Sequence, residues 1–220
     1  MGKGWIAGLA VAALLAGCGG DRPRERPRGS APVTLPSAPS SETRQCFADL
    51  SGQEVRFSPL PDRDYGGGCT VRGAVQLIDF GVPTSNLTAM ACPLSRTFVA
   101  WVRHGVVPAA SEILGSPVVK VESFGTYACR GIVGGGAASA GRLSEHATAN
   151  AVDIAAFVLA DGRRISIERD WRNADPAVRR FLATIHASAC KRFGTVLGPD
   201  YNAAHYNHLH LDMGRGPFCR

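Results

Sequence analysis

Tyr206-Asn207-His208-Leu209-His210-Leu211-Asp212-Met213 alternates polar and apolar side chains from His208 onward. On a strand, successive side chains point to opposite faces. Leu209, Leu211 and Met213 therefore share one face, suited to a core, and His208, His210 and Asp212 share the other. A solvated strand face would account for a lone His-x-His. Here, three of the six histidines (His205, His208 and His210) fall within six residues, which favours a site.

Upstream, Ser144-Glu145-His146-Ala147-Thr148-Ala149-Asn150-Ala151-Val152-Asp153 leaves a Gly/Ala-rich stretch, 131–141, that must be loop, and places an Asp seven residues after a His. On its own this reads as a loop His and a strand-edge Asp. Val152–Leu159 and Arg163–Glu168 flank Asp161-Gly162, a hairpin signal. Pro117–Phe124 is β-branched and alternating, which predicts a strand. Met90, Leu94, Phe98 and Trp101 give helical spacing to 89–103, with Pro93 in the first turn. Pro176–Phe193 reads as an amphipathic helix that starts at a proline and stops before Gly194. Strands and helices of this kind, without internal repeats, predict one α+β domain.

The N-terminal residues set the compartment. Lys3 precedes an apolar run, Ile6 to Leu15, too short for a stable membrane span, and the run ends in Leu15-Ala16-Gly17-Cys18. This resembles a lipobox: residues 1–17 form a signal peptide and Cys18 is the lipidation site. The alternative is an ordinary secretory signal cleaved nearby, and both place the domain outside the cytoplasm. Residues 18–45, with their Arg-Pro repeats and then Pro, Ser, Ala and Thr, read as a lipidated Cys and a tether, with the domain proper at 46–220. Polyproline-like extension at ~3.1 Å per residue gives the tether a reach of roughly 80 Å. The expected location is the periplasmic side of a bacterial membrane, the outer membrane favoured over the inner.

Six further cysteines, Cys46, Cys69, Cys92, Cys129, Cys190 and Cys219, are an even number in an exported chain, which predicts three disulfides of undetermined pairing. No C-x-x-C pair suggests a zinc ribbon or thioredoxin-like motif. The net charge of +6 is shared out along the chain: six of the 24 Lys and Arg and three of the 18 Asp and Glu precede Cys46, which leaves the domain only +3. Without a basic cluster interleaved with aromatics, a nucleic-acid partner is disfavoured.

Ser144-x-His146-x6-Asp153 followed by His208-x-His210 resembles the signature of zinc peptidases of the D-alanyl-D-alanine carboxypeptidase group, whose fold is shared with the hedgehog signalling domain. Ala149 stands where that group usually has Gly. The spacing His205-x2-His208-x-His210 is more similar to penicillin-insensitive murein endopeptidases, since carboxypeptidases place a Glu before the last His. Gly125-Thr126-Tyr127-Ala128-Cys129-Arg130 resembles a strand-end segment whose Arg faces the substrate. Over the whole domain the resemblance is to the bacterial extensin-like C-terminal domain family, carried by Thr126–Arg130, Leu143–Ala147, Gly198-Pro199-Asp200-Tyr201-Asn202 and His208–Asp212.

The resemblance implies a hedgehog/D,D-peptidase-like antiparallel sheet flanked by helices, and zinc held by His146, Asp153 and His210. Three protein ligands and a water make a catalytic zinc site. His208, beside His210, is placed to take and return a proton. Arg130 would hold a substrate carboxylate or the developing oxyanion. His205 orients His208, stabilises charge or is a plain loop His. Ser144 and Asp212 are expected behind the ligands. Tyr127 and Trp171 are candidates for a groove wall, with core packing as the alternative. The expected function is a zinc metallopeptidase that cuts amide bonds of peptidoglycan stem peptides or cross-links. Its rival is a non-catalytic cell-wall or protein-binding module that keeps the fold and metal.

Overall fold

The computed structural model describes residues 1–2, 33–34 and 38–220. The expected signal peptide, Cys18 and most of the tether lie outside the described residues. Among those described, no helix is long and apolar enough to cross a membrane.

The central element is a seven-stranded sheet made of β1 (Thr84–Ser85), β2 (Val118–Gly125), β3 (Ala151–Leu159), β4 (Arg164–Ser166), β5 (Thr195–Leu197), β6 (Leu209–Asp212) and β7 (Phe218–Cys219). Its order is β7-β5-β6-β3-β2-β1, with β4 also paired to β3. The inner pairings are antiparallel, as the resemblance implies, but both margins are parallel: β7 with β5 and β1 with β2. Arg56–Pro59, Ala74–Asp79 and Met90–Ala91 form one smaller ladder, and Val33–Thr34, Arg63–Asp64 and Thr70–Val71 form another.

Five α-helices complete the domain: α1 (Ser41–Gly52), α2 (Cys92–Trp101), α3 (Val107–Leu114), α4 (Ile167–Asp170) and α5 (Pro176–Cys190). A π-helical turn, Val102–Val106, joins α2 to α3, so the helical path that the sequence pattern ends at Arg103 runs on to Leu114. Gly105 and Pro108 are poor helix formers in an isolated segment. In the fold Pro108 occupies the first turn of α3, directly after the π-helical turn. Gly105 leaves room for Ser188 of α5, whose Oγ a Cβ would approach to 2.7 Å. The α1 helix begins at Ser41, inside the stretch read as tether. Ser40 accepts a hydrogen bond from the Thr43 N–H as its cap, and Cys46 and Leu50 are its buried anchors. Likewise Glu168 belongs to α4 and not to a strand, and α5 stops at Cys190, three residues short of Phe193.

The core fills one side of the sheet. Phe157 of β3 meets Trp101 of α2 and Phe181 of α5 edge-on, and the Trp101 indole N–H donates to the Ile185 carbonyl. A bulge makes this compatible with a polar site on the same strand. Ser123 of β2 faces Ile154 and Glu122 faces Ala156, so β3 advances two residues where β2 advances one. An inserted residue resets the side-chain alternation. Val152 and Ile154 on one side of it, and Phe157 and Leu159 on the other, all enter the core, and Asp153 is released to the opposite face. Disulfides Cys46–Cys92, Cys69–Cys129 and Cys190–Cys219 tie α1 to α2, the 66–69 turn to the segment after β2, and α5 to β7.

Candidate metal and catalytic site

β6 lies antiparallel on β3 with His210 directly opposite Asp153. Leu209 and Leu211, fully buried, face the core as the alternation requires, and His210 and Asp212 face the other way. The strand is shorter than the alternating stretch. Ala203–His205 is a 3-10 turn, and His208 sits one residue before β6. Its side chain still reaches the site, with Nε2 3.5 Å from Asp153 Oδ1.

His146 arrives from the other direction, on the 3-10 turn Glu145–Thr148. Ser144 caps that turn, its Oγ accepting from the His146 N–H. Ala149 closes the turn in the left-handed region at φ 56°, where glycine would carry no strain.

Three atoms converge here. His146 Nε2 and His210 Nδ1 are 3.2 Å apart, and they lie 3.1 and 2.9 Å from Asp153 Oδ1. Donors held 2.0–2.1 Å from a tetrahedral ion stand roughly 3.3 Å from one another. The outer nitrogens of both rings are already committed. His146 Nδ1–H donates to the Thr126 carbonyl at 2.7 Å, and His210 Nε2–H donates to the Asp212 carboxylate at 2.9 Å. A carbonyl and a carboxylate accept only, so each ring carries its proton outside and turns its other nitrogen inward. Outer-shell acceptors of this kind fix the tautomer of metal-binding histidines. The spacing, burial and tautomers of His146, Asp153 and His210 thus fit a zinc-sized cation.

Electrostatics follow from this crowding. Burial would raise the Asp153 carboxyl, but hydrogen bonds and charge from His146 and His210 outweigh it and hold the group far below the usual carboxylate range. Burial would lower His210, yet hydrogen bonds to Asp153 and Asp212 push it up to about 9. Without a metal, then, His210 is protonated on both ring nitrogens at neutral pH, and its inward Nδ1–H donates to Asp153 until a cation displaces that proton. Burial, then the charges of His208 and His210, push His205 down to about 4. His208 is lowered chiefly by burial, with Asp153 opposing and His210, His146 and Arg130 adding to the fall.

His205, His208 and His210 form one wall of a cleft of about 640 Å³, with His146 and Asp153 buried behind them. Arg130 lies at its edge, Nη2 3.7 Å from Asp153 Oδ2, so all five residues expected to bind metal or carry chemistry besides His205 meet at one point. His205 joins them by packing: its ring is 5.1 Å from His208 and 5.9 Å from His210. Tyr127 and Trp171 do not line the cleft. Tyr127 packs on Tyr65, and Trp171 lies against the core with its indole N–H on Asp200. Sequence reasoning missed Arg142 and Arg215, which line the cleft among the polar groups. It also missed the Thr126 carbonyl, a backbone atom for which a sequence carries no signal.

Fold and site together define a disulfide-bonded α+β domain with a preorganised two-histidine, one-aspartate group in a cleft. The family model described as extensin-like protein C-terminus matches residues 44–220, and the chain belongs to that family. No curated protein and no solved structure matches it.

Proposed function

We propose that this domain is a zinc metallopeptidase of the hedgehog/D,D-peptidase type, anchored through Cys18 on the periplasmic side of a bacterial membrane, where it cuts amide bonds in peptidoglycan. The observation that carries the reading is the convergence of His146 Nε2, His210 Nδ1 and Asp153 Oδ1 with both outer ring nitrogens already satisfied. When bound there, zinc supplies a Lewis acid that polarises a carbonyl and brings the pKa of water to about 7.

The remaining steps fall to the chain. His208 directs Nδ1 at the Asn207 side-chain oxygen, 2.9 Å away, which leaves Nε2 as the working nitrogen beside Asp153. With its pKa below the ordinary value, that nitrogen is bare at neutral pH and takes a proton from the attacking water, then gives it to the departing amine. Arg130, partly exposed at the cleft edge, holds a substrate carboxylate or the developing oxyanion. Arg142 and Arg215 have no acidic partner among the described residues and suit an anionic chain such as a stem peptide.

Metal analysis of the full chain, followed by digestion of purified sacculi, tests the reading. One zinc per chain and release of new amino termini are expected. His208→Ala should keep its zinc and lose roughly two to four orders of magnitude in kcat, the usual worth of a positioned acid/base. A zinc-loaded protein that binds sacculi yet releases nothing above the His208→Ala background would be a binding module instead.

A further inference from the structure

The cleft wall facing the histidines is the glycine-rich stretch 131–141, and a single side chain joins it to them. Asn202 makes three hydrogen bonds. Its Oδ1 accepts from the Ala204 N–H at 3.0 Å and faces His205 Nδ1 at 2.7 Å, and its Nδ2 donates to the Gly134 carbonyl at 3.0 Å. The amide has one workable orientation. Turned over, its NH2 would confront the Ala204 N–H and its oxygen would confront the Gly134 carbonyl. With Oδ1 fixed as an acceptor, His205 must donate from Nδ1, so its Nε2 is the nitrogen left with a lone pair in the cleft. Gly134 is matched to this seat. Its φ is +73°, and a Cβ there would fall 2.8 Å from the Ala204 Cβ and 3.1 Å from Asn202 Nδ2.

We propose that Asn202 is a positioning residue that couples the glycine-rich wall to the histidine cluster: one carboxamide latches Gly134 and sets the tautomer of His205. His205 is thereby an acceptor toward anything in the cleft. Hydrogen-bond donation to a developing oxyanion falls to Arg130, and His205 is left to accept from a substrate N–H or to hold the attacking water for His208. A displaced wall and a freed His205 ring are two results of removing one side chain.

This inference rests on the hydrolytic reading only in the role it gives His205, and the test needs no substrate, so failure of that reading would not imitate failure of this one. On the full chain, imidazole 15N chemical shifts report the His205 tautomer, and amide hydrogen exchange reports residues 131–141. Wild type should show His205 protonated at Nδ1. Asn202→Ala should mix the tautomers and speed exchange in the wall by about fivefold to tenfold. Gly134→Ala should speed exchange to a similar extent while His205 keeps its tautomer, since the Asn202–His205 contact survives. The coupling is overturned if Asn202→Ala leaves His205 solely in the Nδ1–H form, or if neither variant speeds exchange in the wall.

Discussion

Among the described residues two groups of three ligand-capable side chains converge, each with its ligand atoms within 4.8 Å of one another: His146, Asp153 and His210 at the cleft wall, and His186, Cys190 and Cys219 where α5 meets β7. What separates them is the second commitment of each atom. In the first group both outer ring nitrogens have an acceptor behind them, so the inner atoms turn toward one another, with His208 Nε2 and Arg130 Nη2 beside Asp153. Near α5 the two sulfurs are bonded to one another, which removes both as ligands. His186 there has Nδ1 4.0 Å from Cys190 Sγ and a buried Nε2 without a hydrogen-bond partner. Convergence of suitable residue types therefore does not make a metal site, and the supporting atoms decide.

The largest expected effect breaks this comparison directly. His146→Ala or Asp153→Ala should abolish stoichiometric zinc by metal analysis, while His186→Ala should leave it unchanged. Zinc retained in His146→Ala, or lost in His186→Ala, would reverse the assignment of the two groups. Next in size is the double substitution Cys190→Ala/Cys219→Ala. The bridge closes a loop of 29 residues, and its loss should cost about 3–4 kcal/mol in denaturant unfolding on the loop-entropy scale, with zinc content unchanged.

The smallest effect concerns the acceptor behind His210. Asp212→Asn keeps an oxygen for the Nε2–H but removes its charge, and outer-shell changes of this kind cost 10–100-fold in metal affinity. The size should depend on pH. In metal-free protein His210 has its folded pKa raised to about 9, so its proton is bound below that value and its stabilising contribution disappears as pH rises through it. Zinc must displace that proton, and affinity should climb by roughly tenfold per pH unit up to about pH 9. With Asp212 neutralised the proton is held less tightly, so the climb should level off at lower pH and the deficit should be larger at pH 9 than at pH 7. Zinc titrations of wild type and variant across that range measure both.

The alternation in 206–213 was enough to assign the faces of Leu209, Leu211, His210 and Asp212, because a strand's period is a local property. Its partner was not legible in the alternation: only the resemblance joined His210 to Asp153, 57 residues away, and their pairing across two strands is something no local pattern encodes. Nor was the bulge that lets β3 send Phe157 into the core and Asp153 away from it, since a continuous apolar run offers no alternation to interrupt. An even set of six cysteines after an expected signal peptide announced bridges, but which sulfurs meet depends on where the helices end. The π-helical turn at Val102–Val106 hid α3 for a related reason, as Gly105 and Pro108 are breakers in an isolated segment and good fits in this packed one. Residues 41–45 looked like linker because the apolar anchors of α1, Cys46 and Leu50, lie after them.

The wide separation of the site's components along the chain also bears on how the molecule comes together. Thr126, His146, Asp153 and His210 must meet across β2, β3 and β6, with the hairpin, α4, α5 and β5 intervening between the last two. A zinc finger gathers its ligands within a short segment, so there the ion can organise a chain that is unfolded without it. Here the long-range pairings must form first, and their slow, non-local closure leaves nothing for an ion to gather early. Any metal is thus a late arrival in a framework already held by a sheet, a core and three disulfides. Chelation should empty the cleft and leave the circular dichroism spectrum of the folded domain in place.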